Sequence, residues 1–453
     1  KATPMSLIRR YPTDPGIPLI GNTLEMAKDP GAFFLRMYRK HGPVYSVNVF
    51  GRRTLVLAGP EATLFLSSPE GRQVLSSKAF WKDFIEEIGA NTIINGEDGE
   101  RHLEMRKLLG QGFSKKALDG NYGLMFDIAD RHFDAEWKPG TQPRPLPNMQ
   151  YLITEQLGEL LAGGSPKEYV QDIRLTTLFM LNVLVTKQRP KFFLLSPSYQ
   201  AAKRRSLELA DRMIEDLRVK SEAGELPDNL LGDIYRAFKE GSPYFKENDL
   251  PVAILGPYIA GLDTEANTLA AAIYGICKHP EIKAQVQAEA DELFKKPTTD
   301  IEERDVRKLE LINGCVKEAL RLWTIAVAQL RSAAEDFTFE GHDVKKGQMM
   351  YVATSVPHYM QEFYEDPDTF NPWRMMKPQN QHLQKGSYAP FGRGPHVCLG
   401  QGIAEAQMAL IIARLFHKRD LNLLHPDYKL KTKTAPTPGP TNGFKVRVEA
   451  VRN

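Results

Sequence analysis

The chain has 453 residues, 42% hydrophobic and 25% charged, an ordinary balance for a globular protein with a real core. Its 59 basic and 56 acidic residues leave a net charge of +3, so no whole-molecule field draws it to nucleic acid. Three cysteines, Cys277, Cys315 and Cys398, give no disulfide framework and suit a reducing, intracellular compartment.

The opening stretch is punctuated by proline and glycine, Pro15-Gly-Ile-Pro-Leu-Ile-Gly21. Length alone predicts two or three domains, yet no Gly/Ser linker, low-complexity run or tandem repeat divides the chain. No stretch approaches the ~18 apolar residues that span a bilayer. The sequence starts at Lys1 without a methionine, so it reads as cytoplasmic as it stands and membrane-associated if an anchor preceded it.

Tyr45-Ser-Val-Asn-Val-Phe50 and Thr54-Leu-Val-Leu-Ala58 flank Gly51-Arg-Arg and predict a β-hairpin. Helical patterns dominate from about Pro60 to Leu322, broken at Pro139-Gly140, Gly163-Gly164, Pro190, Pro197, Gly224 and Gly241. Within them, His102-Leu-Glu-Met-Arg106 places two donors at i and i+4, on one helix face. Leu250–Lys278 reads as one long, mostly apolar helix, with Pro251 in its first turn and a kink expected at Pro257. It holds Ala260-Gly-Leu-Asp263-Thr264-Glu265. A threonine there can bond back to the carbonyl of Ala260 and loosen the helix, and Gly261 lowers the resistance. Small Ala260 and Gly261 leave room for a diatomic ligand. His279-Pro280 separates this helix from the next, because the residue before proline is pushed out of the α region.

Lys317-Glu-Ala-Leu-Arg321 sets Glu318 and Arg321 three apart on a helix, able to pair and to engage Arg374 of Phe370-Asn-Pro-Trp-Arg374. After Arg331 short strands return over Asp336–Glu340 and Met349–Ala353, with Gly341-His-Asp as the turn. The last motif is Phe391-Gly-Arg-Gly-Pro-His-Val-Cys398-Leu-Gly400, followed by a helix-like run from Gln401 to Phe416. A thiolate at the mouth of a helix accepts N–H bonds from the first turn and sits at the positive end of the dipole. Gly394 and Gly400 permit close backbone approach, and Phe391 can wall the sulfur from water. The arrangement presents a soft anionic ligand to a metal and suits a haem iron with an axial cysteinate.

The pattern F-x-x-G-x-x-x-C-x-G, the E-x-x-R and the Phe370–Arg374 segment occur together in the expected order. With them the chain resembles, nearly end to end, the cytochrome P-450 superfamily of haem-thiolate monooxygenases. The resemblance implies a mainly α fold with a small β portion, one large domain over 1–453, and haem between the long distal helix and the cysteine loop. It implies haem b ligated by Cys398, with His102, Arg106, Arg331 and His396 meeting its propionates, since burying unpaired carboxylates is very costly. Asp263 and Thr264 would deliver protons to the oxygen being activated, and Ala260, Phe391 and Gly400 would complete the cofactor pocket. Glu265 departs from the threonine common at that place.

By family position Phe80, Phe84, Ile85, Ile88, Leu255, Ile259, Leu262 and Ile325–Ala328 are expected around a lipophilic substrate, although each serves equally as ordinary core. A steroid, terpenoid or fatty-acyl molecule is the expected class. Phe192-Phe-Leu-Leu195, with Lys203-Arg-Arg205 just beyond, fits a lid making peripheral membrane contact, and equally a core-facing helix end with a solvated basic turn. Lys107, Lys115, Lys116 and Lys385 fit a basic patch for a ferredoxin, flavodoxin or flavin reductase, and scattered surface lysines fit the same sequence. No dinucleotide-binding element or fused flavin domain occurs, so electrons are expected from a separate protein. O2 is the expected co-substrate and a monomer the expected form. Two other readings stand beside this one. A haem-thiolate isomerase, dehydratase or peroxygenase is opposed by the intact Asp263-Thr264 pair, and a haem-based sensor would not need that pair.

Overall fold

The computed structural model describes residues 11–452 apart from Phe50, Ser114 and Pro436. The expected hairpin forms: β1 (Val44–Val49) pairs antiparallel with β2 (Arg52–Ala58) around Gly51, whose φ is 73°. Phe50, expected in the first strand, lies outside the described residues. Two strands from distant parts of the chain, β3 (Leu75–Ser76) and β4 (Gln329–Ala333), pair antiparallel. A separate hairpin joins β5 (Phe337–Phe339) to β6 (His342–Val344). Here the expected turn is corrected, because His342 and Asp343 are strand residues. Glu340 and Gly341 make the reversal alone, at φ of 48° and 76°, the sign pattern of a tight two-residue turn.

With β7 (Met349–Ala353) and a short strand at Thr13–Asp14, the main sheet runs Thr13–Asp14, β1, β2, β7, β4, β3. Side chains alternate across it. Leu55, Leu57, Met350 and Val352 enter one apolar cluster, while Tyr45, Val47, Val56 and Ala353 enter another on the opposite face. Segments within residues 13–76 therefore meet segments within 329–353 in one sheet.

The rest is mostly helix. The helices that build the site are α1 (Lys78–Ile88), α2 (Gly99–Gly110), α3 (Pro145–Leu157), α4 (Val170–Met180), α5 (Pro197–Glu222), α6 (Leu250–Lys278), α7 (Glu310–Leu322) and α8 (Gln401–Lys418). The bounds of α6 match the sequence pattern, and the helix stops where His279 turns extended before Pro280. It is apolar nearly all round, as a helix running through a core must be, and packs against α3, α5, α7 and α8. Pro257 lies inside it, and the helix continues past the missing donor. Two π-helical turns, Gly158–Ala162 after α3 and Leu181–Val185 after α4, have no signal in the sequence pattern. Among the described residues no helix is long and apolar enough to cross a membrane.

Candidate active site

The interior helix α6 has one open stripe. Ala253, Gly256, Ala260 and Thr264 recur at helical spacing; Ala260 is exposed and the others half-buried, although Leu255, Leu262 and Ala266 behind them are buried. The Thr264 hydroxyl donates to the Ala260 carbonyl at 2.7 Å, the back-bond expected from sequence. Gly261 does not share the open stripe. A Cβ there would stand 2.7 Å from Leu157 Cδ1, so glycine at 261 lets α3 approach α6, and only Ala260 leaves space on the open side. Leu255 and Leu262, expected near a substrate, belong to the main core for the same reason of helix phase.

Asp263 and Thr264 are neighbours in sequence but point apart, and no hydrogen bond joins their side chains among the described residues. Asp263 is 7% exposed; its Oδ1 accepts from Gln150 Nε2 on α3 at 2.7 Å and from Arg174 Nε on α4 at 3.3 Å. Its Oδ2 is buried with no partner among the described residues. One turn on, Asn267 Nδ2 donates to the Asp263 carbonyl, and Lys433 Nζ donates to Asn267 Oδ1 at 3.2 Å. Glu265 is as buried as Asp263 and lies over Gly261. Its Oε2 has no partner among the described residues, and burial pushes its carboxyl up to about 8.

The cysteine loop is built by backbone geometry. Cys398 N donates to Phe391 O at 2.9 Å, and Val397 N to Gly394 O at 3.1 Å. Gly394 has φ of 81°, and a Cβ on it would lie 2.1 Å from the Leu66 carbonyl oxygen, so no side chain is possible there. Gly392 shares the left-handed backbone, at φ of 77°, but there a Cβ would meet only the end of the Gln329 side chain, which can move aside. Gly400 is a correction. With φ of −86° and no neighbour nearer than 3.8 Å, the polypeptide itself does not demand glycine there. Phe391 is half-buried against the main core. Cys398 is open at its sulfur although surrounded by protein. Burial pushes its thiol up, and the N–H groups of Gly400 and Gln401, with the Arg106 guanidinium, pull it down. The net direction is upward, so the helix mouth alone does not ionise the sulfur, contrary to the simplest expectation; a coordinated metal deprotonates such a thiol outright.

Four bases from three segments gather beside this loop: His102 and Arg106 on α2, Arg331 on β4, and His396 two residues before the cysteine. The rings of His102 and His396 stand 4.0 Å apart. Burial first, then the neighbouring His396 and Arg106, takes His102 down to about 4. Burial likewise takes Arg331 down to about 10. Neither arginine has a salt bridge among the described residues, and His102 Nδ1 is buried without a partner. Arg331 donates to Leu330 O at 2.8 Å and to Gln329 Oε1 at 2.7 Å, whereas Arg106 makes no side-chain hydrogen bond among the described residues. Positive charge without a carboxylate partner at Arg106 and Arg331, beside an open sulfur, is what a haem with two propionates would satisfy, so the residues present fit that cofactor.

Beneath the loop, Glu318 and Arg321 pair at 2.7 Å with neither side chain exposed, and Arg374 Nε stands 3.2 Å from the same carboxylate. Arg321 also donates to His358 O at 2.6 Å, and Asn371 N donates to Glu318 at 3.1 Å. This is the structural triad anticipated from sequence.

Phe84 on α1 is buried with Val183, Leu184, Leu194 and Tyr199, and Phe80, Ile88 and Ile259 of α6 pack against that cluster. The segment Lys191–Leu195 is one 3₁₀ turn, with Phe192 64% and Leu195 77% exposed. The basic triplet is not a free cationic turn. Lys203 pairs with Glu87, Arg204 with Glu208 and Arg205 with Asp172, all within 4 Å. Lys107, Lys116 and Lys385 are exposed, and the side chain of Lys115 lies outside what is described.

A cysteine at the head of a buried helix with four bases gathered beside its loop has the make-up of a haem-thiolate site. Residues 12–440 match the family model for cytochrome P-450, and the chain belongs to that family. It is 24% identical over 98% of its length to the taxane 13-alpha-hydroxylase of Taxus cuspidata, covering 92% of that protein. Among solved structures it is similar to the heme domain of cytochrome P450DA, with a TM-score of 0.84 at 21% identity over 98% of both chains. It is also similar to retinoic acid-bound cyanobacterial CYP120A1, with a TM-score of 0.82 at 22% identity over 98% of this chain and 99% of that one. The protein is a monooxygenase with a cysteine-ligated haem b, and it uses O2, a redox partner and a lipophilic substrate.

Proposed function

We propose that the chain hydroxylates a bulky terpenoid or steroid-like molecule, with Cys398 as the iron ligand and electrons from a separate ferredoxin, flavodoxin or flavin reductase. Bound haem supplies the oxygen activation. The polypeptide supplies the rest. Cys398 is held in place by its N–H bond to Phe391 O and by the N–H groups of Gly400 and Gln401. His102, Arg106, Arg331 and His396 take the propionates. The Thr264 hydroxyl stands on the open stripe next to Ala260, where it would hold and supply a proton at its Oγ when O2 is activated. Asp263, clamped by Gln150 and Arg174, passes protons inward from the α3–α4 side and reaches Thr264 by releasing that clamp. The apolar cluster of Phe80, Phe84, Ile88, Ile259 and Leu194 excludes water above the cleft and receives the substrate.

The gathering of four bases beside the Cys398 loop carries this reading, and the Thr264 hydroxyl next to exposed Ala260 on α6 supports it. The substrate class is supported by that apolar cluster and by similar proteins, one a taxane hydroxylase and one with retinoic acid bound, both ligands isoprenoid in skeleton. A spectral titration of the ferric holoprotein with terpenoids, steroids and fatty acids tests it. Terpenoids or steroids shift the Soret band at the lowest concentrations. Tighter binding of fatty acids alone would overturn the class, and an unchanged carbon monoxide difference spectrum in Cys398→Ser would overturn the ligand.

A further inference from the structure

One acid sits among the four bases. Asp98 occupies the N-cap position of α2, where an aspartate normally accepts from the first-turn N–H groups, yet its side chain makes no such bond. Its Oδ1 instead meets His396 Nε2 at 2.9 Å and accepts from Ser77 N at 3.4 Å, while Oδ2 accepts from Ser76 Oγ at 2.6 Å. Ser76 ends β3, whose partner β4 carries Arg331. A single carboxylate thus ties together the start of α2, the sheet edge and the cysteine loop. A negative charge there works against binding two propionates, so its value to the site must lie elsewhere.

We propose that Asp98 is a positioning residue for the cofactor: it fixes the His396 ring by Nε2 so that the Nδ1 edge is presented to a haem propionate. The reasoning rests on the haem site proposed above. With the Nε2–H directed at Asp98, and Ser77 Oγ at 3.3 Å, Nδ1 is the ring nitrogen left to meet another group; it donates to a carboxylate as the imidazolium, whose charge the Asp98 anion balances. The His102 ring, 4.0 Å away, blocks rotation from the other side. Burial opposes ionisation of Asp98, but the bonds from His396 and Ser76 hold its carboxyl down to about 2, so the acceptor persists across working pH. Such outer partners orient ligating groups and are worth about 10–100-fold in affinity when removed.

The test uses haem-loaded wild type, Asp98→Ala, Asp98→Asn, His396→Ala and the double variant Asp98→Ala/His396→Ala. Haem transfer to excess apomyoglobin and the midpoint potential are measured. Asp98→Ala is expected to speed haem loss about 10–100-fold and shift the potential. Asp98→Asn, which keeps an acceptor oxygen, is expected to recover most of the difference. The double variant is expected to match His396→Ala alone, because the acid acts through the ring. Wild-type values in Asp98→Ala, or an undiminished further loss in the His396→Ala background, would overturn the proposal. Should Asp98→Ala yield no holoprotein, haem loss from Asp98→Asn/His396→Ala equal to that of His396→Ala alone decides for the proposal, and a further loss decides against it. Failure of the underlying haem assignment is distinguishable, since wild type itself would then lack the thiolate signature with carbon monoxide.

Discussion

Replacing Glu265 with glutamine should change how the stability of the holoprotein depends on pH. The carboxyl is buried, one oxygen has no partner among the described residues, and burial lifts it from the ordinary 4.5 to about 8. Asp263 on the same helix is turned away into its clamp with Arg174, and Glu265 stands close enough to Cys398 for its charge to push that thiol up. Between pH 4.5 and about 8 the folded protein holds a proton that the unfolded chain has released. Stability therefore falls as pH rises through that window, with no contribution below it and a plateau above it. At 1.36 kcal/mol per pH unit the full span is about 5 kcal/mol, and about 3 kcal/mol of it lies between pH 5 and pH 8. Glutamine keeps the shape and does not titrate. The difference in unfolding free energy between Glu265→Gln and wild type, from urea titrations of both haem-loaded proteins, should therefore grow in favour of the variant by about 3 kcal/mol from pH 5 to pH 8. Other titrating groups cancel in that difference. A difference that stays flat across the range would refute the claim that a neutral acid is buried there.

Thr264→Ala should retain haem while diverting reducing equivalents to peroxide, lowering product per NAD(P)H consumed by about 10²-fold; unchanged coupling would remove Thr264 from proton delivery. Glu318→Ala leaves Arg321 and Arg374 buried without their carboxylate, a loss of about 3–5 kcal/mol, and should give no soluble haem-replete protein on absorbance at expression scale. Gly261→Ala drives a methyl against Leu157 and should destabilise by about 1–3 kcal/mol, with Leu157→Ala restoring part of it in the double variant. Electron transfer from a cognate acidic donor should slow as ionic strength rises, and rates indifferent to salt would remove the basic patch.

The long helix was legible because its apolar run, Pro251 and His279-Pro280 are local signals, and the hairpin was legible from alternation around Gly51. The Cys398 loop was legible because Gly394 is the only kind of residue its contact with Leu66 allows. What escaped the sequence depends on helix phase and on long-range contact. Leu255 and Leu262 look like Ile259 in composition, but only phase decides which of them meets the cleft. Asp263 and Thr264 look paired because they are adjacent, whereas a helix turns successive side chains about 100° apart. Arg174, Gln150 and Lys433 reach that acid network from 113 residues before Asp263 to well beyond it, and no spacing rule connects them. Asp98 reads as an ordinary helix cap. The signal that could have found it is the acid standing four residues before His102, ahead of a helix already chosen for its bases.

The sheet sets a schedule for synthesis. Leu55 in β2 pairs with Met350 in β7, so an apolar strand edge formed early waits 295 residues for its neighbour. At about 5–20 residues per second that is roughly 15–60 s on the ribosome. Cys398 emerges later still, so its bond to haem forms only after β7 has been made. Slow induction at low temperature, which keeps few unfinished strands in solution together, is the regime in which this polypeptide should accumulate in usable form.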